Sequence, residues 1–300
     1  MLIFRKDKKY ANFNKISMFD IVLIIILTIV VLSILIPFIN VFVISFTSQQ
    51  EYLQTPFLIF PKKPTLKNYY DLVKDGRVLI GYRTTLIILL IGLPINLLLT
   101  TSFSYGLSRK GFPGRKFIFY LVLFTMIFNG GVIPMYILIK ELKLTNTIWS
   151  VILAYGINTF YMIVMRNYFS TLPEALIESA KLDGAGEWKI LFRIILPLSM
   201  PIIATITLFY SVDRWNEWYY SMIFIRDANL QPLQLILRSI VIDSQVRAHA
   251  ASSGAILEEF KFTNGLKMCA VVFTMLPVMC IFPFLQKHFV KGVLIGAIKS

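Results

Sequence analysis

Long apolar runs alternate along this chain with short segments that hold most of its charged residues. A helix that crosses the hydrocarbon core of a bilayer needs about 20 apolar residues. The predicted membrane-spanning helices cover 21–44, 84–107, 117–139, 148–165, 194–212 and 268–286. The runs are continuous, whereas the strands of a membrane barrel alternate apolar and polar residues. The pattern therefore predicts an all-α integral membrane protein with six transmembrane helices.

The composition supports a membrane protein. Hydrophobic residues make up 57% of the 300 residues and charged residues only 15%, whereas about a quarter of a typical soluble domain is charged. Cys269 and Cys280 lie eleven residues apart in the last predicted span. That separation is about 16 Å along a helix, too far for a disulfide.

The basic residues indicate how the chain is oriented in the membrane. The formal net charge is +14, and the short turn SRKGFPGRK at 108–116 contains four basic residues and no acid. Short basic segments stay in the cytoplasm, which predicts that both termini are cytoplasmic. No soluble segment combines a basic patch with interleaved aromatic residues, so nucleic acid is not an expected partner.

The chain reads as one membrane domain without internal repeats. We expect a cytoplasmic N-terminal segment at 1–18, a six-span membrane domain at 19–291 and a cytoplasmic tail at 292–300. The external loop at 225–266 is the longest polar segment, and a short helix is expected at 66–73 in another external loop. Asn129-Gly130-Gly131 predicts a break in the third span.

Several kinds of chemistry lack their motifs. The sequence has no P-loop and no H-E-x-x-H, C-x-x-C or G-x-S-x-G, so we expect no catalytic residue and no metal site. As bounded above, spans two to six contain no Asp, Glu, Lys, Arg or His. Ion-coupled transporters place such residues in the membrane. A secondary transporter or channel stays an alternative, because sodium sites can be built from backbone carbonyls.

The stretch TLPEALIESAKLDGAGEWKILFRIILP, residues 171–197, follows the fourth predicted span on the cytoplasmic side. Thr171 and Glu174 fit a T-x-x-E capping box, which predicts a helix that starts there. The run DGAG at 183–186 supplies a glycine stop, and a second short helix begins at Glu187. We expect a helix-turn-helix elbow on the membrane surface.

One face of the first elbow helix combines small and apolar residues: Leu172, Ala175, Leu176, Ser179, Ala180 and Asp183. A face of this kind lets another surface approach closely, as a knob fits a cleft. An amphipathic helix that merely connects two spans along the interface has the same pattern. The residue pattern alone leaves both interpretations open.

The elbow also carries a known type of spacing. Glu178-Ser179-Ala180 is followed by Gly184 and then by Leu196-Pro197, which resembles the EAA motif of ABC importer membrane subunits, with Ser179 where alanine usually stands. FNGGVIPMYILIKELKLTNTIWSVIL, RWNEW and the ending QKHFVKGVLIGAIKS are similar to carbohydrate-importer permeases of the maltose-permease type, particularly the branch associated with complex oligosaccharides.

The resemblance implies a type I ABC importer permease in a bacterial cytoplasmic membrane, with no cofactor bound by this chain. ATP and Mg²⁺ would bind a separate dimer of ABC ATPase subunits. The other implied partners are a second homologous permease, an extracytoplasmic solute-binding protein, docked partly on 225–266, an oligosaccharide substrate and the lipid bilayer. A permease for a non-sugar solute is the alternative. By matching position, ATPase coupling falls on Glu178, Ser179, Ala180, Asp183, Gly184, Leu196 and Pro197, with the tail 296–300 nearby.

Two groups of residues are candidates for the substrate pathway: Asn129 and Gly130 at the predicted break, and Trp215, Asn216, Trp218, Tyr219 and Tyr220 after the fifth span. Aromatic rings can stack on sugar faces, and an amide can hydrogen-bond sugar hydroxyls. The same rings are typical of an ordinary membrane-interface belt. The break is equally explained by a plain helix kink.

Overall fold

The computed structural model describes residues 17–55, 60–252 and 264–280, with the backbone alone for 244–252. Every regular element within these residues is helical, which confirms the all-α prediction. The helices are α1 Met18–Ser45, α2 Gln49–Gln54, α3 Lys67–Asp75, α4 Arg77–Ser108, α5 Arg115–Ile127, α6 Val132–Glu141, α7 Ile148–Ala154, α8 Thr159–Phe169, α9 Ala175–Leu182, α10 Glu187–Leu198, α11 Met200–Trp215, α12 Tyr219–Phe224, α13 Leu233–Ser252 and α14 Asn264–Cys280.

Among the described residues, two helices are long and apolar enough to cross a bilayer, and the number rises to five if each of three bent helix pairs counts as one span. Helices α1 and α4 are each sufficient alone. The pairs α5–α6, α7–α8 and α10–α11 are sufficient together, but they bend by 115°, 51° and 87°. Helix α14 follows the sixth predicted span as far as Cys280, and the rest of that span lies outside the described residues.

Helix α1 is attached to the other described helices at its C-terminal end. It starts with a capping box, in which Ser17 and Asp20 exchange hydrogen bonds with each other's backbone. Almost all of its apolar side chains are exposed, and only Val43 to Ser45 are buried. The buried Asn68 amide holds this end by donating to the carbonyls of Ser45 and Thr47, each at 3.0 Å.

Helix α4 is the central helix, because α7, α8, α11 and α13 all pack against it. Small polar residues let these helices approach closely. The fully or nearly buried examples are Thr84, Thr85, Asn96, Thr100 and Ser104. At Gly81, a Cβ atom would lie 2.9 Å from the Cα atom of Leu233, so α13 could not pack as it does against any larger residue.

Two spans that were expected to be continuous are broken. Span four is interrupted at 155–158, where the Asn158 side chain caps α8 by accepting from the backbone N–H groups of Phe160 and Tyr161. Span five bends by 87° next to Ser199, and Pro201 lies at the start of α11. Each new helix start is stabilised by a residue that favours a helix N-terminus.

Within 225–266, which was expected to be an external loop, α13 occupies 20 residues and packs on α4. The predicted short helix at 66–73 is confirmed as α3, and the break at 129–131 is confirmed between α5 and α6. Both cysteines are free, as expected. The predictions for residues 1–16 and for the tail 292–300 lie outside the described residues.

Candidate functional site

The turn of the elbow ends α9 in a left-handed residue. Gly184 has φ +74°, and its N–H donates to the carbonyl of Lys181 at 3.0 Å, while the N–H of Ala185 donates to that of Ala180 at 2.9 Å. These two bonds define a Schellman motif, which satisfies the last carbonyls of a helix. The glycine stop predicted from the sequence is therefore confirmed.

The start of the elbow differs from the prediction. Helix α9 begins at Ala175, and no side chain caps it. The hydroxyl of Thr171 instead donates to the carbonyl of Tyr168 at 2.8 Å, closing the end of α8. Glu174 pairs with Lys110 at 2.5 Å. The T-x-x-E pattern does not form a capping box, because both of its side chains have other partners.

Helix α9 has one face against its own chain and one face in solvent. Ile177 and Ala180 are buried in a core cluster with residues of α8, α10 and α11. The predicted coupling residues Glu178, Ser179, Asp183 and Gly184 are exposed. Of the remaining ones, Leu196 is half-buried against the same cluster and Pro197 is exposed. Ala180 therefore packs on the buried side of α9 and is not part of its exposed face.

Leu182 is an exposed residue of the elbow that was not singled out from the sequence. It lies at the C-terminal end of α9, and 90% of its surface is exposed. It is the most exposed apolar side chain of the elbow, ahead of Trp188 at 65%. The sequence feature that could have pointed to this residue is its position directly before the Asp-Gly stop of the helix.

An ion pair joins the elbow to the basic turn at 108–116, and a hydrogen bond joins it to the C-terminal end of α4. Lys110 contacts Glu174, and the Tyr105 hydroxyl donates to Glu187, which also pairs with Lys181 at 2.5 Å. Burial raises the pKa of Glu187, but the hydrogen bonds from Lys181 and Tyr105 outweigh burial and hold that pKa below its usual range. The elbow and the basic turn also enclose a cavity of about 430 Å³.

The predicted pathway residues fall partly around a second cavity. About 190 Å³ of space lies between the α5–α6 break and α12, lined by Asn129, Gly131, Val132, Met135, Tyr219, Tyr220, Ile223 and Phe224. Asn129 shapes the break, because its Oδ1 atom accepts from the N–H of Gly131 at 2.8 Å. Residues about 90 positions apart in the sequence therefore line the same cavity. Gly130 is exposed beside it.

A continuous row of aromatic rings passes this cavity. We call it the aromatic row, and its members are Trp218, Tyr219, Tyr220, Phe224 and Tyr136. Successive ring centroids lie 5.7, 5.4, 6.0 and 6.3 Å apart. Such separations are typical of favourable ring contacts. Trp218 and Tyr219 are the exposed members of the row, whereas Phe224 is buried.

Two of the predicted pathway residues lie elsewhere. Trp215 is buried in a different cluster with residues of α13 and α14 and contacts the ring of Tyr82, at a centroid distance of 5.9 Å. Asn216 accepts a hydrogen bond from Gln234 at 3.4 Å. Neither lines the 190 Å³ cavity. The turn after Trp215 therefore places Trp215 and Asn216 apart from the aromatic row that contains Trp218, Tyr219 and Tyr220.

Comparison with known proteins identifies the family. Residues 13–295 match the family described as binding-protein-dependent transport system inner membrane component. The chain belongs to this family. The permease is 38% identical to protein LplC of Bacillus subtilis over 89% of this chain and 90% of that protein. It is 37% identical to the polygalacturonan/rhamnogalacturonan transport system permease protein YtcP of the same organism, over 88% and 92%.

A solved structure has the same fold as the permease. It is a bacterial ABC transporter involved in the import of the acidic polysaccharide alginate, and one of its chains matches with a TM-score of 0.81 and 27% identity. The match covers 90% of this chain and 96% of that chain. Together with the family match, it confirms the ABC type I importer permease fold predicted from the sequence.

The permease also contains a buried arginine that the sequence analysis missed. Arg214 is 1% exposed. Its guanidinium donates to Asn96 Oδ1 at 3.0 Å and to the carbonyls of Val151, Ile152 and Tyr155 at 3.0, 2.9 and 3.1 Å. These carbonyls belong to the end of α7, where the break leaves them without helical partners.

Spans two to six contain no charged residue within their predicted bounds, but the helices of the structure extend beyond those bounds and do contain charged residues. Span five was ended at Val212, but α11 continues to Trp215 and includes Asp213 and Arg214. Asp213 accepts from the hydroxyls of Tyr155 and Tyr161 at 3.2 and 2.9 Å. Both groups are engaged in bonds that fix the α7–α8 break. Asn96 could have indicated this buried polar network from the sequence, because it is a single amide within an apolar run.

Proposed function

We propose that the permease is one of two homologous membrane subunits of an importer for oligosaccharides in a bacterial cytoplasmic membrane. Similar proteins support the substrate class, since one is named for polygalacturonan and rhamnogalacturonan and another imports alginate. The solute would arrive on an extracytoplasmic binding protein. The chain would bind no cofactor, and ATP with Mg²⁺ would act on a separate ATPase dimer.

The proposed topology has six spans with both ends in the cytoplasm. The contacts of Lys110 with Glu174 and of Tyr105 with Glu187 support it, because they keep the basic turn beside the elbow on one side of the bundle. Short basic turns remain in the cytoplasm. The elbow would then face the compartment in which ATP is available.

The observation that carries the proposal is the shape of the elbow. Gly184 turns the chain sharply, Ile177 and Ala180 anchor α9 underneath, and Leu182 projects into solvent with 90% of its surface exposed. We assign the outer face, with Glu178, Ser179, Asp183 and Gly184, to a cleft on the ATPase. Leu196 and Pro197 would pass movement of the elbow to α11 through the bend at Ser199.

The proposed substrate pathway follows the aromatic row and the cavity at the α5–α6 break. Tyr219 and Tyr220 offer ring faces for stacking on sugars, and Asn129 lies opposite them across the cavity. Gly130 and Trp218 flank this surface. Trp215 and Asn216 are left out of the pathway, because they pack against other elements.

The experiment compares two exposed leucines in the assembled importer, with both permeases, the ATPase and the binding protein in proteoliposomes. Leu182→Asp should reduce ATP-dependent uptake of an oligogalacturonide at least tenfold and weaken co-purification of the ATPase. Leu53→Asp is the matched control, since Leu53 is 70% exposed on α2, away from the elbow. Uptake at the wild-type rate in Leu182→Asp would contradict the proposed coupling.

A further inference from the structure

One end of the aromatic row carries a positive charge. The guanidinium carbon of Arg238, on α13, lies 4.3 Å from the centroid of the Trp218 ring. One of its Nη atoms also contacts the sulfur of Met222. Arginine stacked on an aromatic ring keeps its planar fork in a fixed orientation, so less entropy is lost when the fork binds an anion.

No described acidic residue neutralises this arginine within the 4.0 Å that defines an ion pair. Two acids close in sequence to Trp218 or Arg238 have other partners: Glu217, which precedes Trp218, and Asp243, which lies five residues after Arg238. Glu217 accepts from the backbone N–H groups of Tyr220 and Ser221 at 2.8 and 3.2 Å. Asp243 lies 3.8 Å from Arg77. Arg238 therefore presents its charge at the row without a carboxylate from the described residues.

The neighbouring rings are accessible. Trp218 is 36% exposed, and Tyr219 is 40% exposed. The two rings meet edge to face at 5.7 Å, and Tyr219 continues into the cavity that Asn129 lines. A ligand that stacks on Tyr219 would thus lie one ring away from the guanidinium. This end of the row therefore offers two exposed aromatic rings, nearly perpendicular to each other, and one guanidinium.

We propose that Arg238, Trp218 and Tyr219 form a subsite for the carboxylate of an acidic sugar, so that the importer favours uronate-containing oligosaccharides over neutral ones. This proposal rests on the proposed function. A carboxylate on a pyranose ring can accept two parallel N–H bonds from the guanidinium while the ring stacks on tyrosine. A neutral sugar with a hydroxymethyl group at the same carbon offers no charge to pair.

Two other roles of Arg238 make different predictions. As a packing residue, it would hold α13 against α12 through the cation–π contact, and such contacts are common in proteins. As part of a docking surface, it would bind an acidic patch of the solute-binding protein. Neither role depends on the carboxylate of the transported sugar, so a matched pair of acidic and neutral ligands separates them from a subsite.

The test measures equilibrium binding to the assembled permease–ATPase complex in lipid nanodiscs, with no binding protein present. The ligands are trigalacturonate and its carboxyl-reduced counterpart, which differ only at the carboxyl carbon. The variants are Arg238→Gln, Arg238→Lys and the control Arg226→Gln, which changes an exposed arginine outside the aromatic row. Thermal unfolding of each variant checks that the complex is intact.

We expect the wild-type complex and Arg226→Gln to bind trigalacturonate at least tenfold more tightly than the reduced sugar. Arg238→Gln should remove this preference and leave the affinity for the reduced sugar unchanged, with Arg238→Lys in between. Equal binding of both ligands by the wild type would overturn the subsite. So would a parallel loss of affinity for both ligands in Arg238→Gln, or a preference for trigalacturonate that survives in this variant. If the complete importer takes up no oligosaccharide with ATP, the proposed function itself fails.

Discussion

Arg214 and Asn96 donate to the same backbone oxygen, the carbonyl of Tyr155, at 3.1 and 2.7 Å. Asn96 also donates to the carbonyl of Gly156 at 2.8 Å and accepts from Arg214. The two side chains come from α11 and α4, and the carbonyls belong to the α7–α8 break. Three elements of the bundle are therefore joined at one buried point.

The first prediction concerns this point. Arg214→Lys keeps the charge but replaces the planar fork with three N–H donors on one nitrogen, so at least one of the four buried acceptors of Arg214 loses its donor. An unsatisfied buried polar group costs about 1–3 kcal/mol, and we expect the variant to lose about that much stability. Thermal unfolding of the purified permease measures the loss. Arg193→Lys, at an exposed position of α10, is the control, and equal melting temperatures for both variants would contradict the role of Arg214.

The second prediction concerns two glycines of α4. At Gly81 a Cβ atom would meet the Cα atom of Leu233 at 2.9 Å, whereas at Gly106 it would meet nothing within 4 Å. Overpacking costs about 1–3 kcal/mol, and replacing a helical glycine by alanine gains about 0.5–1 kcal/mol. Gly81→Ala should therefore lower the melting temperature and Gly106→Ala should raise it slightly. Stabilisation by both substitutions would show that α13 does not pack closely on α4.

A third prediction tests the turn of the elbow. Gly184 has φ +74°, and a Cβ atom there would meet nothing within 4 Å, so only the backbone conformation limits the residue. Gly184→Val should strain the turn by about 1–2 kcal/mol and impair ATP-dependent uptake. Gly184→Asn should largely retain uptake, because asparagine tolerates the left-handed conformation. Equal impairment by valine and asparagine would point to side-chain size rather than backbone conformation.

The fourth prediction concerns pH. Since the folded-state pKa of Glu187 is lowered, its contacts stabilise the elbow above the ordinary glutamate pKa of about 4.3 and lose this effect as the pH falls through the lowered pKa. The hydrogen-exchange protection factors of α9 and α10, which are corrected for the intrinsic pH dependence of amide exchange, should fall on acidification in the wild type. Glu187→Gln should exchange faster already at neutral pH, with less further change. Identical pH profiles would show that this carboxylate does not stabilise the elbow.

Local features of the fold could be predicted from the sequence. Asp183-Gly184 predicts the stop of α9 because only a residue that tolerates positive φ fits there, and Asn129-Gly130-Gly131 predicts the α5–α6 break for a similar reason. The capping box failed because Thr171 and Glu174 are used by α8 and by Lys110. That competition depends on distant parts of the chain and leaves no trace in the local pattern.

Features set by tertiary contacts could not be predicted in the same way. The break at 155–158 is stabilised by donors from α4 and α11, so the apolar run around it reads as one span. Arg214 was left out because hydropathy ends the span at Val212. The separation of Trp215 from Tyr219 and Tyr220 depends on the turn between α11 and α12, which adjacency in sequence conceals.

The most direct test of the account is uptake into proteoliposomes that contain either this permease alone or the assembled importer. We predict that trigalacturonate accumulates only when the second permease, the ATPase and the binding protein are present and ATP is supplied on the side of the membrane that holds the ATPase. Leu182→Asp should reduce this uptake at least tenfold. Accumulation by the permease alone under a sodium or proton gradient, without ATP, would contradict it.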